Sequence, residues 1–241
     1  VNISVIVPAF NEEKLLGASL AEIKAATSAF AQRGWGCELV VCDNNSTDRT
    51  TEIARAAGAV VVFEPVNQIG RARNSGAAVA TGDWLIFVDA DTHPSAELFA
   101  EVAEQIATGN CLAGGVTIRL DEKIFVAGLI TQLWNCASRL KKLMAGSFIF
   151  VEAKAFRQLG GFDQEMFAAE ELELSQRLKK LARANGKKIR ILHRHPIMTS
   201  ARKMKLYSTR EMAGFFLRTV FDQRRTLRSR EASYLWYDGR R

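Results

Sequence analysis

The sequence predicts a doubly wound α/β domain on a mostly parallel sheet, with helices on both faces and a helical, basic C-terminal extension. Two observations carry this expectation. Short apolar, β-branched runs alternate with helix-spaced apolar patterns four times before residue 108, the rhythm of βαβ units. The runs are apolar throughout, as strands are when helices cover both sides of a sheet.

Each element has its own signal. Residues 3–7 read as the first strand, bounded by Pro8, and 12–30 carry Leu15, Leu16, Leu20 and Ile23 at helical spacing. Residues 38–42 form a second strand. Ser46, Thr47 and Asp48 offer caps for a helix that Gly58 stops. A third strand spans 59–63, and 70–80 form a small-residue helix ended by Gly82. A fourth strand spans 84–88, and a helix spans 95–107 with Leu98, Val102 and Ile106 on one face. Beyond 110 the rhythm changes. Strands are expected over 112–120, 147–151 and 188–192, and helices over 123–143, 170–184 and 209–221. The domain is read as 1–208 and the extension as 209–241.

Charge is unevenly placed. The 241 residues carry a net +7, but 1–176 carry −8 and 177–241 carry +15. A basic quarter on an acidic body suits an anionic partner, such as a diphosphate or a lipid head-group surface, or is simply a solvated face. Cys37, Cys42, Cys111 and Cys136 form no CxxC pair and read as reduced, mostly buried thiols. The opening residues read as a strand, not a signal peptide. The most apolar later stretch, 124–137, contains Gln132 and Asn135 and falls short of the roughly 20 residues that span a bilayer. A cytoplasmic protein is expected, with peripheral attachment to the inner face of a membrane left open.

In an open α/β sheet, ligands bind beyond the carboxyl ends of the strands. There the sequence places Pro8-Ala9-Phe10-Asn11-Glu12-Glu13, then Asp43-Asn44-Asn45-Ser46-Thr47-Asp48, then the stretch from Glu64 to Asn74, then Asp89-Ala90-Asp91. Polar side chains thus repeat at four consecutive strand ends. Asp89 and Asp91, two residues apart past a buried strand, can aim at one hard cation, Mg²⁺ or Mn²⁺. An isolated triplet of this kind would more simply cap a helix. Asp43 lies ahead of its cap and can accept from a base N–H or a ribose hydroxyl. Gly70 and Arg73 open a helix, an arrangement that favours anions. Glu170, Glu171 and Glu173 crowd the first turn of another helix, where like charges raise a carboxyl pKa and suit a general base. No GxGxxG follows the first strand and no GxxxxGK[ST] occurs, which excludes the usual dinucleotide and P-loop signatures.

Taken in order, the segments 5–13, 41–50, 70–92 and 160–178, the last with Gly160-Gly161-Phe162-Asp163 and the Glu170-Glu171 pair, resemble family 2 glycosyltransferases of the GT-A fold. The resemblance implies a nucleotide-binding half over 1–110 and a catalytic and acceptor half over 111–208. It implies that Pro8, Phe10 and Glu12 line the nucleotide pocket, that Asp43 binds base or ribose, and that Arg73 lies near the nucleotide or its phosphates. Asp89 would approach ribose and metal, and Asp91 would ligate the metal. Glu171 would be the base beside Glu170, although the family usually has Asp there. Transfer from a nucleotide-diphosphate-sugar would then invert the anomeric carbon.

Past residue 192, Arg202 or Lys203 can bind the departing diphosphate and His195 can complete the metal shell. For His193 and His195 a surface loop or a satisfied structural hydrogen bond is the simpler reading. Met212, Phe215, Phe216, Val220 and Phe221 make an apolar stripe among arginines, read as core, a homodimer contact or a membrane-binding face toward a lipid-linked acceptor. Three other functions stand beside the transferase. A sugar-phosphate nucleotidyltransferase would bring a Gly-rich phosphate loop where this chain has Asn11-Glu12-Glu13. A nucleic-acid-binding protein is disfavoured, because the basic segment lacks an interleaved aromatic stacking pattern and does not explain the acids at four strand ends. A non-catalytic sugar-nucleotide sensor stays open, since motifs report binding better than turnover.

Overall fold

The computed structural model describes residues 1–122, 125–200, 227–229, 231 and 233. Its elements run β1 (Asn2–Ala9), α1 (Leu16–Ala26), α2 (Ser28–Ala31), β2 (Gly36–Asp43), α3 (Thr50–Ala56), β3 (Val60–Phe63), α4 (Ile69–Val79), β4 (Trp84–Val88), β5 (Thr92–His93), α5 (Ala96–Ala107), β6 (Cys111–Leu120), α6 (Phe125–Lys141), β7 (Phe148–Glu152), α7 (Ala153–Gln158), α8 (Glu170–Ala184) and β8 (Lys188–Thr199). The predicted helix over 209–221, Arg202 and the basic tail beyond the helix lie outside the described residues, apart from 227–229, 231 and 233, where Arg228 Nη1 pairs with Glu165 Oε2 at 2.8 Å.

The strands form one sheet in the order β3-β2-β1-β4-β7-β6-β8-β5. The pairs β3·β2, β2·β1, β1·β4 and β6·β8 are parallel. The pairs β4·β7, β7·β6 and β8·β5 are antiparallel. The chain runs outward from β1 to β3 and returns to β4 on the other side of β1. The crevice beyond the carboxyl ends of β1 and β4 is therefore the switch point, where ligands bind in such sheets. Because β7 is antiparallel, its first residues reach that same edge.

Strand side chains alternate between two cores. Val5, Val7, Ile86, Val88, Phe148 and Phe150 face one side, with Leu16, Leu20 and Ile23 of α1, Phe30 of α2 and Phe99 of α5. Ile6, Leu85, Phe87, Ile149 and Val151 face the other, with Ala77 of α4, Phe156 of α7 and Leu174 and Leu178 of α8. The small residues of α4 have a packing reason: a Cβ on Gly76 would lie 2.5 Å from Ile6 Cγ2.

Several boundaries differ from expectation. Pro8 does not end the first strand. Pairing with β4 stops at Ile6, so proline's missing N–H falls where only the β2 flank continues, to Ala9. The helix expected over 12–30 begins at Leu16 and breaks at Thr27. The last strand runs seven residues past its predicted end, carrying His193 and His195 within a strand and not a surface loop. The cysteines are not mostly buried: Cys42 and Cys111 are, but Cys37 at the exposed start of β2 and Cys136 on α6 are not. All four thiols are free.

Candidate active site

Two left-handed asparagines knit the first two strand ends together. Asn11 has φ 51° and Asn45 φ 67°, a region in which asparagine is tolerated better than most residues. The Asn11 N–H donates to Ser46 Oγ at 3.0 Å, and the Thr47 N–H donates to Asn11 Oδ1 at 2.8 Å. The Glu12 N–H donates to Thr50 Oγ1 at 2.9 Å. Asp43 is buried and accepts from the Ser46 N–H at 2.9 Å and Thr51 Oγ1 at 2.7 Å. Its carboxylate thus orders the loop that was expected to contact a nucleotide. Of the three predicted caps, Asp48 supports α3, accepting from the Thr50 N–H at 3.0 Å. Pro8 and Glu12 are buried and Phe10 is half-buried beside this loop.

Asp89-Ala90-Asp91 is not a helix cap. It forms a tight turn between β4 and β5, closed by the Thr92 N–H donating to Asp89 O at 3.1 Å. The α5 cap is Ser95, whose Oγ accepts from the Leu98 N–H at 3.2 Å. The turn holds both carboxyl groups at the sheet edge, with some solvent access.

The hub of the site is Arg73 on α4, only 1% exposed. Its Nη1 donates to Glu170 Oε1 at 2.6 Å, and its Nη2 donates to Asp89 Oδ1 at 2.8 Å and Gly146 O at 3.0 Å. Its guanidinium lies 5.3 Å from the Phe162 ring centroid, in cation–π range. These bonds tie the α4, β4 and α8 ends together, while Arg73 Nε is buried without a hydrogen-bond partner among the described residues. Nearby Asp89 and Glu170 hold the charge on Arg73 firmly despite its burial.

The three acids of the first turn of α8 have separate surroundings. Glu173 pairs with Arg177, whose Nη1 and Nη2 also donate to Leu159 O and Gly161 O at 2.7 Å. Glu170 is buried against Arg73, and burial raises its carboxyl pKa. The Glu171 carboxyl accepts no hydrogen bond from another described residue, while its backbone carbonyl accepts from Ser175 Oγ at 2.7 Å. Burial, then the neighbouring Glu170 charge, push it up to about 8, although part of its surface remains open to solvent. The residue before the pair, Ala169, is left-handed at φ 60°, a strained backbone position of the kind found at functional sites.

Positioning residues emerge that the sequence did not single out. Asn74 Nδ2 donates to Phe162 O at 2.9 Å while its Oδ1 accepts from the Phe162 N–H at 2.9 Å. This clasp fixes the Gly160-Gly161-Phe162 turn beside Arg73. Gly161 has φ 74°, and a Cβ there would run into Asn74 Oδ1. Glu64 accepts from Ser75 Oγ, the Val66 N–H and Arg71 Nε. Burial raises its pKa, but these bonds outweigh it and the net shift is downward. The x-Asn of the Arg73-Asn74 pair was the available signal, but its partner lies 88 residues away.

Among the described residues no three His, Cys, Asp or Glu side chains group closely enough to hold a metal ion. The expected trio of Asp89, Asp91 and His195 is therefore not assembled. His195 lies on β8 and contributes, after Ser95 and local backbone, to holding the Glu97 carboxyl low. The carboxylate pair itself fits a hard divalent cation, because Mg²⁺-type sites take one or two carboxylates and complete the shell with phosphate and water. Arg73 takes Oδ1 of Asp89, whose side chain is 24% exposed.

The model of the family described as Glycosyl transferase family 2 matches residues 4–157. An uncharacterised glycosyltransferase of Mycobacterium tuberculosis is 34% identical over 113 residues, covering 47% of this chain and 47% of the relative. The chain spans about half or less of the length of such relatives. Among solved structures, a mannosyltransferase from Pyrobaculum calidifontis in complex with GDP-Man and Mn²⁺ superposes with TM-score 0.66 at 19% identity, covering 94% of this chain and 62% of that one. Glucosyl-3-phosphoglycerate synthase from M. tuberculosis, in complex with Mn²⁺, UDP and glucosyl-3-phosphoglycerate, gives 0.65 at 19% identity, covering 98% and 80%. These two show the shared GT-A fold.

Proposed function

The chain belongs to glycosyl transferase family 2, and from that membership we propose that it transfers a sugar from a nucleotide-diphosphate-sugar to an acceptor hydroxyl with inversion. The observation that carries the reading is the Arg73 bridge between Asp89 and Glu170. It joins the acidic turn after β4 to the acid pair of α8, which supports reading the two as one site. The neighbours crystallised with GDP-Man or UDP support a nucleotide-linked donor.

Asp89 and Asp91 would hold a divalent cation, which when bound neutralises charge on a diphosphate leaving group. The protein's own residues do the rest. Asp43, Pro8, Phe10 and Glu12 form the pocket beside β1 and β2 for base and ribose. Glu171 takes the proton of the acceptor hydroxyl as its oxygen bonds to the anomeric carbon, while the bond from that carbon to the diphosphate oxygen breaks. A carboxyl with its pKa near working pH suits that task, balancing availability against basicity. Burial, then the Glu170 charge, raise the Glu171 pKa, while Arg73 pulls the pKa of Glu170 down against its own burial.

The test is turnover. A thermal-shift screen of nucleotide-sugars identifies the donor, and Glu171→Gln is then compared with the parent. Unchanged donor affinity with turnover reduced by about two orders of magnitude or more supports the role. Normal turnover, or a product whose anomeric configuration by NMR matches the donor's, overturns the base assignment or the inversion.

A further inference from the structure

Helix α6 turns the wrong face to the water. Leu129, Leu133 and Leu140 are 56%, 64% and 78% exposed, with Ile130 at 48% beside them and the exposed Cys136 between. Spacings of three and four residues place them on one stripe. The side facing the body carries Ala127, Thr131, Trp134, Asn135 and Ser138. Asn135 clasps β6, its Nδ2 donating to Ile118 O and its Oδ1 accepting from the Ile118 N–H, both at 2.9 Å. A surface helix of a water-soluble domain distributes its residues the other way, and an apolar stripe of this length signals an interaction site.

The charges indicate what covers it. No Asp or Glu occurs from residue 125 to 142, while Arg139 and Lys141 flank the stripe on opposite sides and Lys142 follows. The nearest acids, Asp121 and Glu122, precede the helix and already have partners. A second copy laid along the stripe would have to neutralise these cations with acids that the helix lacks, whereas phospholipid headgroups supply the countercharge. No helix among the described residues is long and apolar enough to cross a membrane. A helix of 17 residues, about 25 Å long, with apolar centre and basic flanks suits the plane of the interface.

We infer that α6 docks the protein on an anionic phospholipid bilayer, its leucine stripe entering the acyl boundary and Arg139, Lys141 and Lys142 meeting the headgroups. The helix leads within a few residues to Gly146, whose carbonyl accepts from Arg73. Docking therefore brings the carboxylate site close to the membrane plane. The inference stands on α6 alone and does not depend on the transferase reading.

The experiment is vesicle sedimentation of the full chain, with phosphatidylcholine alone and with about 30 mol% phosphatidylglycerol. The parent should sediment with the anionic vesicles. Leu133→Gln/Leu140→Gln should bind at least about tenfold less, with its thermal midpoint unchanged, since both side chains are already in water. Arg139→Gln/Lys141→Gln should lose the preference for anionic lipid. A polarity-sensitive dye on Cys136, in a Cys37→Ser background, should shift to the blue on adding vesicles. Absence of vesicle binding by the parent, or equal binding by the leucine variant, overturns the inference. So does a leucine variant that loses its fold, which would mean that protein covers the stripe, or one that converts a dimer to a monomer, which would mean that a second copy does.

Discussion

Arg73 and Glu170 form an ion pair at 2.6 Å with each side chain less than 5% exposed. Such a pair contributes little net stability, because desolvation offsets most of the attraction, yet breaking it strands a buried charge. Its value here is geometric. The same guanidinium holds Asp89, so the pair sets the distance between the turn after β4 and the start of α8.

Removing the cation should therefore be costly. Arg73→Met leaves Glu170 and part of Asp89 uncompensated and should destabilise the protein by about 3–5 kcal/mol in urea unfolding. Arg73→Met/Glu170→Leu should recover part of that loss. Additive losses would show that the two residues do not act as a pair.

Glu171 makes a pH prediction. Its folded pKa, about 8, stands above that of an unfolded glutamate. The folded state holds the proton where the unfolded chain has released it, so this contribution to stability is complete below about pH 4 and is lost as pH rises toward 8. Glu171→Gln, which cannot ionise, should lose less stability than the parent between pH 5 and 9. Urea midpoints across that range provide the check, and parallel curves would refute the displaced carboxyl.

The glycine turn makes a steric one. Gly161→Ala adds a Cβ against Asn74 Oδ1 at a φ that L residues rarely adopt. A loss of about 1–3 kcal/mol is expected, with weakened turnover because Phe162 supports Arg73. Asn74→Ala should lower stability through the same clasp, and the double variant should be less than additive.

Much of the sheet was legible because buried strands are apolar and carry no competing signal. The runs at 84–88 and 170–184 coincide with β4 and α8. Two-residue β5 is too short to leave a pattern, and it exists because Thr92 and His93 pair with Thr199 and Met198. The polar run His193-Arg194-His195-Pro196 hid the continuation of β8, which is set by pairing with Ile118, Arg119 and Leu120. The acidic residues of the site were visible as motifs at strand ends. What joins them was not: the partners of Arg73 and Asn74 lie up to 97 residues away, and one arginine in a small-residue helix gives no sign that it will be buried. Likewise the residues expected as a helix over 123–143 include an apolar stripe, but sequence does not give the direction it faces.

We propose that Asp89 and Asp91 form the donor-binding edge with a divalent cation. Calorimetric titration of UDP and GDP into the parent and into Asp91→Asn, with Mn²⁺ and with chelator, tests it most directly. The account predicts binding of one of them by the parent in Mn²⁺, weaker by at least about tenfold in chelator or in Asp91→Asn, with thermal stability of the variant unchanged. Equal affinity in all four conditions, or no binding of either nucleotide by the folded parent, would contradict it.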